Sequence, residues 1–168
     1  MLKVQRFFLE LKKDKTQKQS IIAPKNVKIF LDTKKNINLN KFFYRHIGKD
    51  HFWRDRLLWS DNEWSKYIRN ENLETGIMKI NDNLVGFYEQ ETHKEKNEIE
   101  LIQMGVLKEY QGKKLGSYLL KHIIQDAFRR NVERIWVHTC SLDHKHALDN
   151  YLSKGFKTFK EETINFIF

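Results

Sequence analysis

The hydrophobic pattern of the first 68 residues predicts two strands followed by two helices. Apolar and polar positions roughly alternate over 2–12, and 27–31 is a short apolar run, so both segments are predicted as strands joined by a loop over 16–25. From residue 39 apolar side chains recur every third or fourth position, as on one face of a helix, with Gly48 as the expected stop. A second helix is expected to begin at Ser60, which has capping-box spacing to the glutamate three residues later.

The rest of the chain predicts a sheet whose strands are interrupted by helices. A strand, a tight turn and a strand are expected over 76–89. The next strand, 98–107, is apolar on both faces and is therefore predicted to be central. A helix, a strand, a helix and a last strand are predicted at residues 115–130, 132–140, 145–154 and 156–168. This order indicates an α/β sheet protein.

Length and composition predict one soluble domain. The 168 residues suffice for one core and not for two, so residues 1–168 are expected to form a single domain. No apolar run approaches the roughly 20 residues that cross a bilayer, and the charged N-terminal segment does not resemble a signal peptide. The one cysteine, Cys140, excludes a disulfide framework. We expect a cytoplasmic protein without membrane contact.

The net charge of +9 suggests an anionic partner. Lysines are spread over almost every segment, and the only dense run lies at residues 12–18. Nucleic-acid binding is not expected, because basic and aromatic residues do not form a stripe at fixed spacing. An anionic small molecule accounts for the charge equally well.

A glycine-containing turn between the strand at 98–107 and the helix at 115–130 is the strongest candidate for a binding site. Its sequence is Gln111-Gly112-Lys113-Lys114-Leu115-Gly116. The first N–H groups of a helix are unpaired, and together with the helix dipole and two lysines they favour a phosphate group. The alternative is an ordinary strand-to-helix turn without a ligand.

Two motifs place this turn in a wider pattern. Gln111 and Gly116 fit the signature Arg/Gln-x-x-Gly-x-Gly/Ala, in which Lys114 replaces the middle glycine. Downstream, the pattern Ala-x-x-x-Tyr-x-x-x-Gly-Phe is reproduced by Ala147, Tyr151, Gly155 and Phe156. The segment from about residue 98 to 156 therefore resembles the GNAT superfamily of N-acetyltransferases. The resemblance implies an acyl-CoA acyltransferase fold with a mixed, mostly antiparallel central sheet flanked by helices.

The resemblance also implies a coenzyme A site, with acetyl-CoA as the acyl donor. The backbone at Met104, Gly105 and Val106 would pair with the pantetheine arm, and the turn would hold the pyrophosphate. A side chain at Gly116 would intrude on the phosphates. The implied cofactor-binding residues are Met104, Gly105, Val106, Gln111, Gly112, Lys113, Lys114, Leu115, Gly116, Ser117 and His144.

Two residues are candidates for catalysis. Tyr151 resembles the tyrosine that gives a proton to the leaving thiolate in many family members; alternatively its ring only packs against the sheet. Glu100 lies close to where the histone-type branch carries a catalytic glutamate, and a carboxylate there could take the amine proton directly or through water. The alternative is a solvated or salt-bridged strand residue, since many relatives manage with water alone.

The histidine-rich run at 138–146 is interpreted as something other than a metal site. His138 and Cys140 share one strand face, whereas His144 and His146 point in different directions, so four ligands would not converge. His144 stands where the family often has an asparagine that contacts the cofactor; a solvated histidine is the alternative. Asp143 is expected to be a helix N-cap.

The acceptor site of this family is built largely by the first two helices. Aromatic rings there could line an apolar or cationic pocket and an arginine could bind a carboxylate, or most of them pack the helices onto the sheet. The residues concerned are Phe42, Phe43, Tyr44, Phe52, Trp53, Arg54, Arg56, Trp59 and Trp64. The acceptor amine, on a small molecule or a peptide, is not identified.

We therefore predict a transferase that moves an acetyl group directly from acetyl-CoA to an amine. The alternative function is a non-catalytic acyl-CoA-binding regulatory module. Only 12 residues follow Phe156, which is short for two long terminal strands. Either the last strand is absent, or the N-terminal segment or a second subunit takes its place, and a homodimer is one hypothesis.

Overall fold

The computed structural model describes residues 2–14 and 21–166, which contain seven strands and four α-helices. The strands are β1 (Leu2–Lys12), β2 (Val27–Leu31), β3 (Leu73–Ile80), β4 (Asn83–His93), β5 (Glu98–Val106), β6 (Arg134–Cys140) and β7 (Lys157–Phe166). The helices are α1 (Ile37–Gly48), α2 (Asp61–Ile68), α3 (Leu115–Arg129) and α4 (Ala147–Ser153). Parts of the predicted loop at 16–25, the basic run at 12–18 and the last strand lie outside the described residues.

The seven strands form one sheet in the order β2-β3-β4-β5-β6-β1-β7. Only β5 and β6 run parallel to each other, and every other neighbouring pair is antiparallel. The prediction of a mixed, mostly antiparallel sheet flanked by helices is confirmed, as is the central position of 98–107.

The N-terminal strand completes the sheet. β1 lies between β6 and β7 and pairs with both in antiparallel fashion, with Arg6 opposite Cys140 and Val4 opposite Ile164. The short C-terminal segment therefore supplies one strand, β7, and the second place is filled from the other end of the chain. The alternatives were that the last strand is absent, or that the N-terminal segment or a second subunit takes its place. The structure contains the second of these, with the N-terminal strand β1 in that position.

Helices cover both faces of the sheet and explain why the strands are apolar. On one face Leu119 and Ile123 of α3 are fully buried in a cluster that includes Ile99 of β5 and Leu9 of β1. On the other face Phe43 of α1 stacks on a strand phenylalanine in a smaller cluster. Burial of each large apolar side chain contributes about 1.5–3 kcal/mol to the stability of the fold. These clusters therefore determine which face of each strand packs against a helix.

Three local predictions can be compared with the structure. The capping box at Ser60 is present, because its hydroxyl accepts from the Glu63 N–H and the Glu63 carboxylate accepts from the Ser60 N–H. Gly48 does not stop its helix through a left-handed turn; it is the last residue of α1, and an added Cβ would lie 2.6 Å from that of Trp53. The role of this glycine is close packing.

The prediction for Asp143 is wrong. α4 begins at Ala147, not at 145, and its N-cap is His146. The Asp143 carboxylate instead accepts hydrogen bonds from the Thr139 hydroxyl at 2.7 Å and the Cys140 N–H at 2.9 Å. Its role is to hold the turn that follows β6.

Candidate functional site

A cavity opens where β5 and β6 separate. The two strands pair from Glu98 opposite Arg134 to Leu101 opposite Val137, and no further. Beyond this point β5 continues to Val106 and β6 to Cys140 without pairing with each other. A register shift against β4 at Ile102 marks the place where β5 bends away. The facing backbone edges of β5 and β6 are thus available to a ligand.

The cavity has a volume of about 1230 Å³ and two distinct ends. The cradle end is lined by residues 104–106 of β5, the turn before α3, the first turns of α3 and the side of α4. The β1 end is lined by side chains of β1 and β7, the C-terminal half of β6 and residues 51–56 between α1 and α2. The volume exceeds that of an ordinary drug-sized pocket, so two molecules can meet in it.

The backbone of the predicted turn has the geometry of an anion cradle. Gly112 has a φ of 77° and Lys114, the N-cap of α3, has a φ of 60°, so both are left-handed. Lys114 therefore adopts a glycine-like conformation despite its side chain. That side chain makes no capping hydrogen bond. A Cβ built on Gly116 would have nothing within 4 Å, so the first turn of α3 has open space beside it.

Three lysines line the cradle end: Lys114, Lys121 and Lys154. Burial, followed by the nearby Lys121 ammonium, lowers the pKa of Lys154. Asp149 also lines the cavity. Lys113 is not part of the lining; its ammonium lies 5.5 Å from the centre of the Tyr110 ring.

Sequence reasoning missed two of these lysines and an asparagine beside them. Lys121 could have been found, because it follows Lys114 by seven residues, two helical turns, and so shares its face. Asn150 joins α4 to the cradle through a hydrogen bond of 3.4 Å from its amide to the Gly116 carbonyl. No local sequence signal marks Asn150 or Lys154.

Tyr151 lies on α4 and lines the cavity, as predicted from the second motif. It is 7% exposed and its ring contacts that of Phe156, so the packing role is also real. Burial, assisted by the Asp143 carboxylate, raises the pKa of the Tyr151 phenol well above its ordinary value. The phenol is therefore protonated at neutral pH and available as a donor.

Glu100 does not line the cavity. It lies on the part of β5 that is still paired with β6, opposite Trp136, before the two strands separate. Its carboxylate is 3.1 Å from His93 Nε2. The ligand atoms of Glu91, His93 and Glu100 lie within 4.8 Å of one another, and among the described residues no other His, Cys, Asp or Glu group of three does so.

His144 lines the cavity between its two ends. Partial burial lowers the pKa of its imidazole, and the neighbouring His51, His146 and Lys145 act in the same direction. The His51 ring is 6.0 Å away, centre to centre. The neutral form is therefore favoured at this position.

A buried ion pair holds the wall of the β1 end. Glu89 of β4 is completely buried and accepts from Arg56 Nη1 at 2.8 Å, Tyr67 hydroxyl at 2.7 Å and Asn40 amide at 2.9 Å. Burial alone would lower the pKa of Arg56, but Glu89, together with Tyr67 and Asp55, outweighs burial and the pKa is raised. The guanidinium also lies over the Tyr67 ring at 4.2 Å. These contacts fasten residues 51–56 to the sheet.

Residues predicted for the acceptor pocket divide into two groups. Phe52, Trp53, Arg54 and Arg56 line the cavity, whereas Phe42, Phe43, Tyr44, Trp59 and Trp64 do not. The second group packs helices and the connecting segment, with Phe43, Tyr44 and Trp64 at most 1% exposed. The packing interpretation was therefore correct for the second group.

The β1 end also contains residues that sequence reasoning did not place there. β1 contributes Val4 and Arg6, β7 contributes Ile164 and Phe166, and β6 contributes His138. Arg6 Nη1 is 3.1 Å from Glu162, which also pairs with Lys160. Rings of Phe52 and Phe166 approach to 6.3 Å, so the connecting segment and β7 meet across this end.

The chain belongs to the GNAT acetyltransferase family, because the family model described as "Acetyltransferase (GNAT) family" matches residues 33–156. It is therefore an N-acetyltransferase, and this match gives no support to the alternative of a non-catalytic module. β1, β2 and β7 lie outside the matched residues. No curated protein matches the chain in sequence.

Solved structures show the same fold. An aminoglycoside acetyltransferase from an uncultured soil metagenomic sample aligns with a TM-score of 0.66 and 16% identity over 85% of this chain and 95% of that one. The ribosomal-protein-S18-alanine N-acetyltransferase from Escherichia coli aligns with a TM-score of 0.61 and 19% identity, over 78% of this chain and 77% of that one. A GCN5-related N-acetyltransferase from Sphaerobacter thermophilus aligns with a TM-score of 0.66 and 13% identity, over 95% of this chain and 50% of that one.

No helix in the described part of the chain is long and apolar enough to cross a membrane.

Proposed function

We propose that the protein transfers an acetyl group from acetyl-CoA directly to an amine, on a small molecule or a peptide. The observation that carries this proposal is the single cavity between the separated strands β5 and β6, with an anion cradle at one end. The donor and the acceptor can approach each other there from opposite ends, so no covalent enzyme intermediate is needed.

The cradle end fits coenzyme A. The open space beside Gly116, the left-handed turn at Gly112 and Lys114, and the lysines that line this end suit a pyrophosphate and a further phosphate. The edge of β5 at 104–106 does not pair with β6 and can bind the amide groups of the pantetheine arm. One of its carbonyls, that of Val106, already accepts from the Gln111 amide at 3.2 Å. When bound, the donor supplies an activated acetyl carbonyl; His144 and Ser117 line its path.

Three tasks fall to the protein. Backbone N–H groups of β5 would stabilise negative charge on the carbonyl oxygen. Tyr151 would donate to the leaving thiolate, for which its protonated phenol is suited. The third task is removal of a proton from the attacking amine. Glu100 stays a sequence prediction for this task, since it lies outside the cavity lining.

Calorimetry with acetyl-CoA and turnover with amines test the proposal separately. We expect acetyl-CoA binding at micromolar to millimolar concentration, and release of free thiol with at least one amine of a panel of phenylethylamine, spermidine, L-lysine, kanamycin and an alanyl peptide. No binding at millimolar acetyl-CoA would contradict the donor site. Binding without turnover of any amine would favour a non-catalytic module.

The single-domain organisation, the cytoplasmic location, the absence of nucleic-acid binding and the homodimer stay predictions. The continuous seven-stranded sheet supports a single domain. Because β1 fills the place beside β7, the sheet does not need a second subunit for completion. Sizing with light scattering at micromolar protein measures the oligomeric state directly.

A further inference from the structure

We infer that His138 is the group that takes the proton from the acceptor amine. The inference rests on the proposed function and names the residue for its third task. His138 is the first residue of β6 beyond the last pair with β5, so its backbone stands at the mouth of the opening between the strands. Its side chain is partly accessible to solvent and forms part of the cavity lining.

The surroundings of His138 hold the imidazole in place. On its other edge β6 pairs with β1, where Phe8 is directly opposite and its ring centre lies 5.6 Å from that of His138. The backbone and one side of the ring are thus fixed by β1. The remaining side is available to a molecule in the β1 end of the cavity.

The carboxylates at the β1 end already have other partners. Asp55 accepts from the Tyr44 hydroxyl at 2.7 Å, and Asp143 accepts from Thr139 and Cys140. Glu100 lies outside the cavity lining, and its carboxylate is hydrogen-bonded to His93 Nε2. His138 is therefore the better-placed base.

The protonation state of His138 suits this task. Partial burial, followed by the Arg6 guanidinium of β1, lowers its pKa below the ordinary 6.5, although Glu100 of β5, Asp143 after β6 and Glu162 of β7 act in the opposite direction. A group with a lowered pKa is neutral at pH 7 and becomes protonated only as the pH falls below that value. The imidazole is thus ready to accept a proton at neutral pH.

The proposed step balances as follows. The neutral amine nitrogen forms a bond to the acetyl carbon, the carbon–sulfur bond breaks, and the electron pair of that bond leaves with sulfur. The proton lost by nitrogen goes to a ring nitrogen of His138, and the thiolate receives a proton from Tyr151. Transfer through solvent from the imidazolium to the tyrosinate restores both groups, so neutral amine and thioester give amide and thiol.

The experiment compares His138→Gln with wild type, using whichever amine of the panel turns over fastest. We expect kcat/KM to fall about 100-fold and one ionisation on the acid side of its pH profile to disappear. Acetyl-CoA binding by calorimetry should be unchanged. The matched control is His46→Gln on α1, an exposed histidine outside the cavity lining, which should keep both the rate and the profile.

Two further measurements separate a base from a structural residue. NMR titration of labelled histidine in the free protein should give His138 a pKa below 6.5 that matches the acid-side midpoint of the wild-type rate. Added imidazole should restore part of the activity of His138→Ala. Neither result is expected if His138 only packs against Phe8.

The outcomes distinguish the two proposals. Wild-type rate in His138→Gln, or a larger loss in Glu100→Gln than in His138→Gln, would overturn the assignment of His138 and leave the proposed function standing. No turnover of any amine by the wild-type protein would overturn both.

Discussion

The two ends of the cavity are built by different means. The cradle end is made mostly of backbone from one continuous stretch, 111–116, held by a helix that begins immediately after it. The β1 end is made of side chains from four separate parts of the chain, and it depends on a buried ion pair between Arg56 and Glu89. Under the proposed function, the backbone of the cradle end would bind the donor, and the side chains of the β1 end would contact the acceptor.

This contrast predicts that substitutions act differently at the two ends. Removal of a side chain at the cradle end leaves the N–H groups and the helix dipole in place. Removal of one partner of the buried pair leaves a charge without compensation in the protein interior, which affects folding as well as the acceptor wall. Mutations at the β1 end are therefore expected to act on stability and acceptor affinity together.

The largest effect is expected for Arg56→Ala at the β1 end. The substitution leaves Glu89 buried and unpaired, which should lower the free energy of unfolding by about 3–5 kcal/mol in urea denaturation. Arg69→Ala, an exposed residue at the end of α2, is the matched control and should change stability by less than about 0.5 kcal/mol.

Adding Glu89→Gln to Arg56→Ala should recover part of the loss, because the buried charge is removed with its partner. A double variant less stable than Arg56→Ala would contradict the interpretation that the unpaired Glu89 charge causes the loss of stability.

At the cradle end Gly116→Arg should abolish donor binding without loss of folding. The open space beside Gly116 accommodates the side chain, but that side chain then occupies the phosphate position. We expect acetyl-CoA affinity to fall at least about 100-fold, or about 2.8 kcal/mol, in calorimetry. Gln125→Arg, an exposed position on the same helix, controls for the added charge. Normal affinity in Gly116→Arg would remove the cradle assignment.

The smallest effect is expected where the two ends meet, at Tyr151→Phe. Loss of the hydroxyl removes the donor to the thiolate and leaves the ring contact with Phe156. We expect kcat to fall about tenfold, below the usual range for a general acid, because a thiolate is already a good leaving group. Acetyl-CoA affinity should stay the same, and Tyr118→Phe on α3, outside the cavity lining, should have the wild-type rate. An unchanged kcat would exclude the donor role.

The same contrast decides how much could be predicted from sequence. The predicted turn and Tyr151 line one cavity, and both are marked by motifs that are contiguous or lie on one short helix. The β1 end was found only in part, because Val4 and Arg6 reach the cavity through pairing with strands near the other end of the chain. No local pattern encodes that pairing.

Two other residues show what a local pattern leaves open. Glu100 was proposed as the base from its position in the family pattern, which does not show that β5 and β6 stop pairing only one residue later. α1 ends at Gly48 as expected, but the packing of this glycine against Trp53 depends on a fold that the local pattern does not describe. In both cases tertiary contacts decided the outcome.

The position of β1 has a consequence for how the chain folds during synthesis. β1 is synthesised before every other strand of the sheet, yet its two neighbours, β6 and β7, are the last two strands of the sheet to be made. Until then Val4, Leu9 and Leu11, all buried in the finished sheet, have no strand beside them. Because such distant pairing is slow, β1 stays unpaired while the five strands between it and β7 are made, and we expect it to be a segment that a chaperone protects.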